Sequence, residues 1–169
     1  MSESISIKRL TLAGLFTAII FAATAYIHVP TGLGYTHMGD GFIFLAAAVL
    51  PKKYSIPATA VGAALADAVC GMMIWAPATL VIKTLIVLPF TSRKGKILVA
   101  RNYTALIPAL LFNSIGYSLY EAVFMTPDSL TAALVSAFAQ TPFYAIQTAI
   151  GAAIFFTIGK VLDSNNIRS

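Results

Sequence analysis

The chain has 169 residues, of which 59% are hydrophobic and 10% charged, and its mean hydropathy is +0.85. Soluble domains carry about 25% charged residues, so this composition excludes an ordinary soluble protein. The long apolar runs show no period-two alternation, which predicts an all-α integral membrane protein rather than a β-barrel. We expect a single domain over residues 1–169.

The apolar runs predict a compact bundle of six transmembrane helices. The first spans about residues 10–29 and is followed by a glycine-containing loop at 31–38. The second, at about 39–50, rises only about 18 Å, which is too short to cross a 30 Å core. It is therefore either extended by ordered loop or enclosed by protein. The remaining helices are expected at about 56–73, 77–89, 103–125 and 130–162, with a turn at 126–128 and a kink at Pro142.

Basic residues mark one side of the predicted bundle. Of the 11 Lys and Arg residues, all except Lys83 fall in four segments, whose members are Lys8, Arg9, Lys52, Lys53, Arg93, Lys94, Lys96, Arg101, Lys160 and Arg168. By the positive-inside rule these segments and both termini are cytoplasmic. Topology thus accounts for the net charge of +5, and no nucleic-acid partner is predicted.

Two opposite charges fall inside the third and fourth predicted helices. Asp67 and Lys83 are equally far along the chain from Trp75, so both are expected about 12 Å deep on neighbouring antiparallel helices. An ionisable group at that depth costs several kcal/mol unless it faces a partner or a watery cavity. The two residues therefore either neutralise each other as a structural pair or contact a ligand.

Polar side chains recur at helical spacing on the last two predicted helices. Asn113, Tyr117, Tyr120 and Glu121 share one face of the fifth helix, and Gln140, Tyr144 and Gln147 share one face of the sixth. With a turn between the helices, Asn113 and Gln140 are expected at similar depth. Together with Asp40, which opens the second helix, these residues predict a polar cavity in the outer half of the bundle, closed toward the cytoplasm and roofed by residues 28–38.

Aromatic residues in the predicted cavity favour a small-molecule site. Tyr117 and Tyr144 have amide neighbours on the same face, and rings flanked by a few hydrogen-bonding groups are the usual makeup of a ligand pocket. Trp75 and Tyr103 are instead interpreted as anchors at the membrane interface. His37 lies near Asp40, but no third ligand follows at a fixed spacing, so neither a metal site nor a cofactor is predicted.

The sequence contains no motif that would power transport or catalysis. It has no phosphate-binding loop and no H-E-x-x-H or G-x-S-x-G motif. A polar cavity without an energy source favours a binding subunit over an enzyme. A self-sufficient channel or proton-coupled carrier that uses Asp67, Glu121 and Lys83 as a relay is the alternative.

Small residues form a stripe on the first predicted helix. Gly14, Ala18 and Ala22 recur every four residues, which allows another helix to approach closely. From the pattern alone, the neighbouring helix belongs either to this chain or to a partner.

The order of several landmarks resembles a known family. The run Tyr35-Thr36-His37-Met38-Gly39-Asp40-Gly41-Phe42-Ile43-Phe44-Leu45-Ala46-Ala47 is followed by Leu50-Pro51-Lys52-Lys53, then by Gly62-Ala63-Ala64-Leu65-Ala66-Asp67 and by Lys83. With the chain length, six helices and short second helix, these features resemble the S components of energy-coupling-factor (ECF) vitamin transporters. The resemblance covers nearly the whole chain.

The resemblance implies a function and partners. S components are substrate-binding subunits of the prokaryotic plasma membrane that capture a vitamin or precursor from outside. They dock on a transmembrane T component that carries two cytoplasmic ATPases, and small residues of the first helix form the docking face. Here those residues are Gly14, Ala18 and Ala22.

The resemblance also implies where the substrate lies. The family pocket is built from the loop after the first helix and the outer parts of helices four to six, which matches the polar cluster. The expected substrate-binding residues are Tyr35, His37, Asp40, Asp67, Lys83, Asn113, Tyr117, Glu121, Gln140 and Tyr144.

The expected substrate is a small heteroaromatic compound. Nickel and cobalt S components carry a histidine after the initiator methionine, where this chain has Ser2, so the metal branch is disfavoured. The His-x-Gly-Asp run resembles the branch that includes hydroxymethylpyrimidine, pyridoxine and riboflavin S components. We expect a hydroxymethylpyrimidine or pyridoxine-like ligand, with riboflavin as the second choice.

Overall fold

A computed structural model describes residues 6–31, 34–92, 95–125 and 129–165. The helices are α1 Ile7–Ala25, α2 Gly39–Val49, α3 Lys52–Val69, α4 Ala76–Val87, α5 Ala100–Phe124, α6 Leu130–Ala139 and α7 Thr141–Ser164, and the strands are β1 His28–Thr31 and β2 Gly34–His37. Several residues used above lie outside the described ranges, namely Ser2, Gly32, Arg93, Lys94, the predicted turn at 126–128 and Arg168.

The architecture is that of a helical membrane protein. In the described part of the chain, α1, α5 and α7 are long and apolar enough to cross a membrane, and α2 and the segment Met73–Val87 are shorter apolar helices. Helix α5 contains a π-helical segment at Phe112–Gly116. Such segments occur frequently at functional sites.

The observed helix boundaries confirm the second helix and change the third and the last. Helix α3 begins at Lys52, several residues earlier than predicted, directly after Pro51, whose backbone is extended. The predicted sixth helix is not continuous, because the chain leaves helical geometry at Gln140 and restarts at Thr141. Pro142 lies in the first turn of α7, where its missing N–H costs nothing, so it begins a helix rather than kinking one.

The loop predicted at 31–38 is wrong for the residues that the structure describes there, because they belong mainly to two paired β-strands, named here the β-hairpin. Strands β1 and β2 are antiparallel, with His28 opposite His37 and Thr31 opposite Gly34. The Met38 N–H donates to the Ile27 carbonyl at 3.2 Å, which closes the hairpin between α1 and α2. Gly34 packs on the Trp75 ring, from which an added Cβ would be 3.7 Å away. The hairpin thus covers one end of the bundle.

Helix α2 is short because protein, not lipid, surrounds it. Its residues 43–48 are at most 2% exposed. A Cβ added to Gly41 would lie 2.6 Å from Cβ of Ile154, and one added to Gly151 would lie 3.0 Å from the Gly41 nitrogen. Because the two glycines have no side chain, the α2 and α7 backbones approach closely. This contact brings the start of α2 against the middle of α7.

Candidate functional site

A cavity lies beneath the hairpin, among residues of α3, α4, α5 and α7. Its volume is about 30 Å³, and the space that includes its opening to solvent is about 340 Å³. Its lining residues are Gly34, Tyr35, His37, Asp67, Trp75, Thr79, Tyr117, Tyr144 and Gln147. The first three come from β2, so the hairpin forms one wall.

Aromatic rings form a second wall. Tyr117 and Tyr144 stack with ring centroids 5.4 Å apart and planes 25° from parallel. Trp75 meets Tyr117 edge-on at 5.8 Å. The Tyr117 and Thr79 hydroxyls share a 3.0 Å hydrogen bond, which fixes the rotation of the phenol. The wall therefore presents aromatic surface with its polar atoms already oriented.

Asp67 presents a carboxylate to the cavity and is only 5% exposed. The Tyr35 hydroxyl donates to its Oδ1 at 2.5 Å and so ties the hairpin to α3. Its Oδ2 is buried and has no hydrogen bond of standard geometry from the described residues, with the Thr79 hydroxyl beside the carboxylate. Burial, together with the neighbouring Asp67 carboxylate, raises the pKa of Tyr35, so this phenol remains a proton donor.

Lys83 forms its ion pair with Asp40, not with Asp67. The Lys83 Nζ lies 2.7 Å from Asp40 Oδ1, and both side chains are fully buried. The equal-depth estimate for Asp67 and Lys83 was wrong, because Thr79, one helical turn before Lys83, is the α4 residue that joins Asp67 in the cavity lining. Lys83 therefore lies about 6 Å farther along the helix, below the cavity.

Amide side chains connect the ion pair to neighbouring helices. Asn113 Nδ2 donates to Asp40 Oδ2 at 2.7 Å, and Asn113 Oδ1 accepts from Lys83 at 3.0 Å. Gln147 Nε2 donates to the same Asp40 oxygen at 3.0 Å, while its Oε1 accepts from the His37 N–H at 3.3 Å. Gln147 therefore links the buried charges to the hairpin and to the cavity.

The structure separates the predicted site residues into three groups. Tyr35, His37, Asp67, Tyr117 and Tyr144 line the cavity. Asp40, Lys83 and Asn113 form the network beneath it. Glu121 and Gln140 do not line the cavity.

Glu121 and Gln140 lie outside the cavity lining, each in a different part of the bundle. Glu121 is fully buried within α5. Gln140 lies at the break between α6 and α7, where its carbonyl accepts from the Phe143 and Tyr144 N–H groups. The expected match in depth between Asn113 and Gln140 is also wrong, because Asn113 donates instead to Thr148, two helical turns farther along α7.

Three cavity residues were missed or misinterpreted. Trp75 is 5% exposed and lines the cavity, so its interpretation as an interface anchor is wrong. Gln147 was recognised as sharing the face of Tyr144 but was not selected, although that spacing was the available signal. Thr79 gave no signal, since a single threonine in an apolar helix is unremarkable in sequence.

His37 is expected to make stability depend on pH. Burial lowers its pKa to about 4, and the nearby Lys83 and His28 act in the same direction against Asp40. Its Nδ1 accepts the Gly39 N–H at 3.1 Å. Because the unfolded histidine binds a proton near pH 6.5 and the folded one does not, stability is full above that pH and falls toward pH 4, by at most about 3 kcal/mol.

The comparison of wild type with His37→Asn isolates this effect from other titrating groups. Unfolding followed between pH 7.5 and 4.5 should show a steeper loss for the wild type. Equal slopes for the two proteins would contradict the assignment.

Comparison with known proteins identifies the family. A family model described as ECF-type riboflavin transporter, S component, matches residues 4–164. The chain belongs to this family. The S component is therefore a transporter subunit rather than a member of an enzyme family, and the resemblance found in the sequence is confirmed.

A solved structure supports the same fold. The structure described as "Structure and mechanism of the S component of a bacterial ECF transporter" matches with a TM-score of 0.72 at 20% identity. The match covers 96% of this chain and 98% of that one. No curated protein matches the S component described here.

Proposed function

We propose that this S component captures a flat, hydroxylated heteroaromatic compound of the hydroxymethylpyrimidine or pyridoxine type and delivers it through an ATP-driven partner complex. The observation that carries the proposal is a cavity lined both by stacked tyrosines and an indole and by the buried Asp67 carboxylate. Aromatic side chains bind the face of a planar ring, and placed polar groups read its edge.

Riboflavin is the second candidate. The family model that matches this chain is described as an S component of a riboflavin transporter, and this description favours riboflavin as the ligand. The cavity itself measures about 30 Å³, and about 340 Å³ when its opening to solvent is included. Either ligand therefore requires the hairpin wall to move, and a single substituted ring requires a smaller movement than a three-ring ligand with a sugar-alcohol chain.

We also propose that the single domain crosses the plasma membrane of a prokaryote six times, with both termini cytoplasmic. The contacts of the basic residues support this topology. Lys52 donates to the Val87 carbonyl at the end of α4, and Arg101 donates to the Pro89 carbonyl at 3.0 Å. These positive side chains lie at the helix ends opposite the hairpin, as the positive-inside rule requires for a cavity open to the outside.

The partners proposed are a T component and two ATPase subunits, which is the general role of the family. The alternative of a self-sufficient carrier depends on Lys83 as part of a relay with Asp67 and Glu121. The pairing of Lys83 with Asp40 beneath the cavity gives that relay no support.

The ligand assignment is tested with the fluorescence of Trp75, the chain's single tryptophan. Purified S component is titrated with hydroxymethylpyrimidine and with pyridoxine, and we expect one of them to give a saturable change in tryptophan emission, because Trp75 lines the cavity. Riboflavin is followed by its own fluorescence.

The Trp75→Phe variant serves as the optical control. It should lose the emission change, while calorimetry still detects binding. If calorimetry finds that none of the three compounds binds the wild-type protein, the proposed function is wrong.

A further inference from the structure

Asp67 uses its two oxygens differently. Oδ1 accepts the hydroxyl of Tyr35 from the hairpin, while Oδ2 is buried and unpaired among the described residues. The Thr79 hydroxyl lies beside the Asp67 carboxylate and also shares a 3.0 Å hydrogen bond with the Tyr117 hydroxyl. A buried acceptor left without a donor costs about 1–3 kcal/mol, so an O–H or N–H group of a ligand that reaches Oδ2 recovers this energy.

The charges around the cavity favour such a donor over an anion. No lysine or arginine is found in the described lining, and the lining carboxylate is Asp67. The nearest buried cation, Lys83, is held by Asp40 and Asn113 beneath the cavity. His37 accepts the Gly39 N–H at Nδ1, and burial lowers its pKa to about 4, so its ring is neutral near pH 7 and adds no positive charge to the cavity.

A phosphate group placed in this cavity would therefore meet the Asp67 carboxylate, while the nearby cation, Lys83, is already paired with Asp40. Two like charges in a desolvated site repel more strongly than in water. The same site accommodates a neutral alcohol or amine, and it tolerates a cationic ring nitrogen.

We infer that Asp67 is a specificity-determining residue that selects ligands with a free hydroxyl or N–H donor and rejects their phosphate monoesters. This inference rests on the proposed function but not on which of the candidate vitamins is the substrate. It follows that the compound delivered to the cytoplasm is unphosphorylated, and that any phosphorylation of its hydroxyl group happens after uptake.

Matched pairs of compounds test the inference on the wild-type protein. The pairs are pyridoxine and pyridoxine 5′-phosphate, hydroxymethylpyrimidine and its monophosphate, and riboflavin and flavin mononucleotide. For the alcohol that binds, the phosphate ester should bind at least about 100-fold more weakly. An ester that binds within about 10-fold of its alcohol would overturn the inference while leaving the proposed function intact. If no alcohol binds, both are wrong.

Two variants separate the charge of Asp67 from its role in holding the hairpin. Asp67→Asn keeps the shape of the side chain but removes its charge, and it should reduce the selectivity for alcohol over ester to below about 10-fold. Tyr35→Phe removes the hairpin hydrogen bond but keeps the carboxylate, so it should retain the wild-type selectivity even if both ligands bind more weakly.

The variants can also contradict the inference. If Asp67→Asn keeps the full selectivity, or if Tyr35→Phe loses as much selectivity as Asp67→Asn, Asp67 does not read the ligand directly. Should Asp67→Asn fail to fold, the wild-type comparison of alcohol with ester still decides the question.

Discussion

Replacing Lys83 with methionine is expected to lower the free energy of unfolding by about 3–5 kcal/mol. Methionine retains the length and apolar body of the side chain but leaves the carboxylate of Asp40 fully buried without its cation. Asn113 and Gln147 still donate to Asp40. Amide donors compensate only part of the cost of a buried charge. Detergent-solubilised protein unfolded with increasing denaturant gives the measurement.

A second variant and a surface control distinguish the loss of the pair from the loss of a lysine. The double variant Asp40→Asn with Lys83→Met removes both charges and should be more stable than Lys83→Met alone. Lys160→Met makes the same change at an exposed position on α7 and should stay within about 0.5 kcal/mol of the wild type. Equal stability of Lys83→Met and Lys160→Met would contradict the buried pair.

The partner of Lys83 illustrates what the sequence does and does not determine. Spacing along a helix predicts the depth and the face of a side chain, and on that basis Lys83 was recognised as an intramembrane charge that needs a partner. Several acidic residues were available at comparable depth, including Asp40, Asp67 and Glu121. The choice among them depends on which helices are neighbours, and the close contact of Gly41 with Gly151 sets that arrangement.

Helical periodicity predicted the positions of Tyr117 and Tyr144 correctly, but it predicted the contacts of the amide side chains only in part. The periodicity of α5 and of the later helix predicted a shared polar surface, and Tyr117 and Tyr144 do meet there. The extrapolation from Gln140 assumed one continuous helix. Because the chain breaks at Gln140, the residues that meet Asn113 and Asp40 are Thr148 and Gln147.

The hairpin and Trp75 were missed because tertiary contacts stabilise them. Strands of four residues next to glycine give almost no periodic signal. A tryptophan at a helix start is typical of an interface anchor, and it is buried here because Gly34 of the hairpin packs on its ring. The wall that the hairpin contributes to the cavity was therefore inaccessible to sequence reasoning.

The stripe of small residues on α1 is expected to affect transport rather than the stability of the subunit. Gly14, Ala18 and Ala22 are all exposed, and a Cβ added to Gly14 would meet no atom within 4 Å. The adjoining groove between α1 and α3 is lined mainly by apolar residues, among them Ala13, Pro57 and Ala58. This surface is thus open to a partner helix, as the proposed docking on a T component requires.

We expect Gly14→Trp to leave ligand binding unchanged and to lower uptake at least about 10-fold in cells that contain the T component and ATPases. The indole occupies space that is empty in the isolated subunit but would be filled by the partner. Uptake of labelled ligand and co-purification of the T component measure the effect. Unimpaired uptake, despite wild-type expression, would show that this face does not dock.

Two further substitutions distinguish docking from packing within the subunit. Ile107→Trp places the same bulk at another exposed position, 64% exposed on α5, and should not affect uptake. Gly62 on α3 faces α1 directly, and a Cβ there would lie 2.8 Å from the Thr17 carbonyl. Gly62→Leu should therefore destabilise the subunit itself and reduce ligand binding and uptake together, because the obstructing atom belongs to the backbone of α1. Of the three substitutions, we expect only Gly14→Trp to reduce transport without reducing ligand binding, because the surface of α1 that it blocks is where the proposed partner docks.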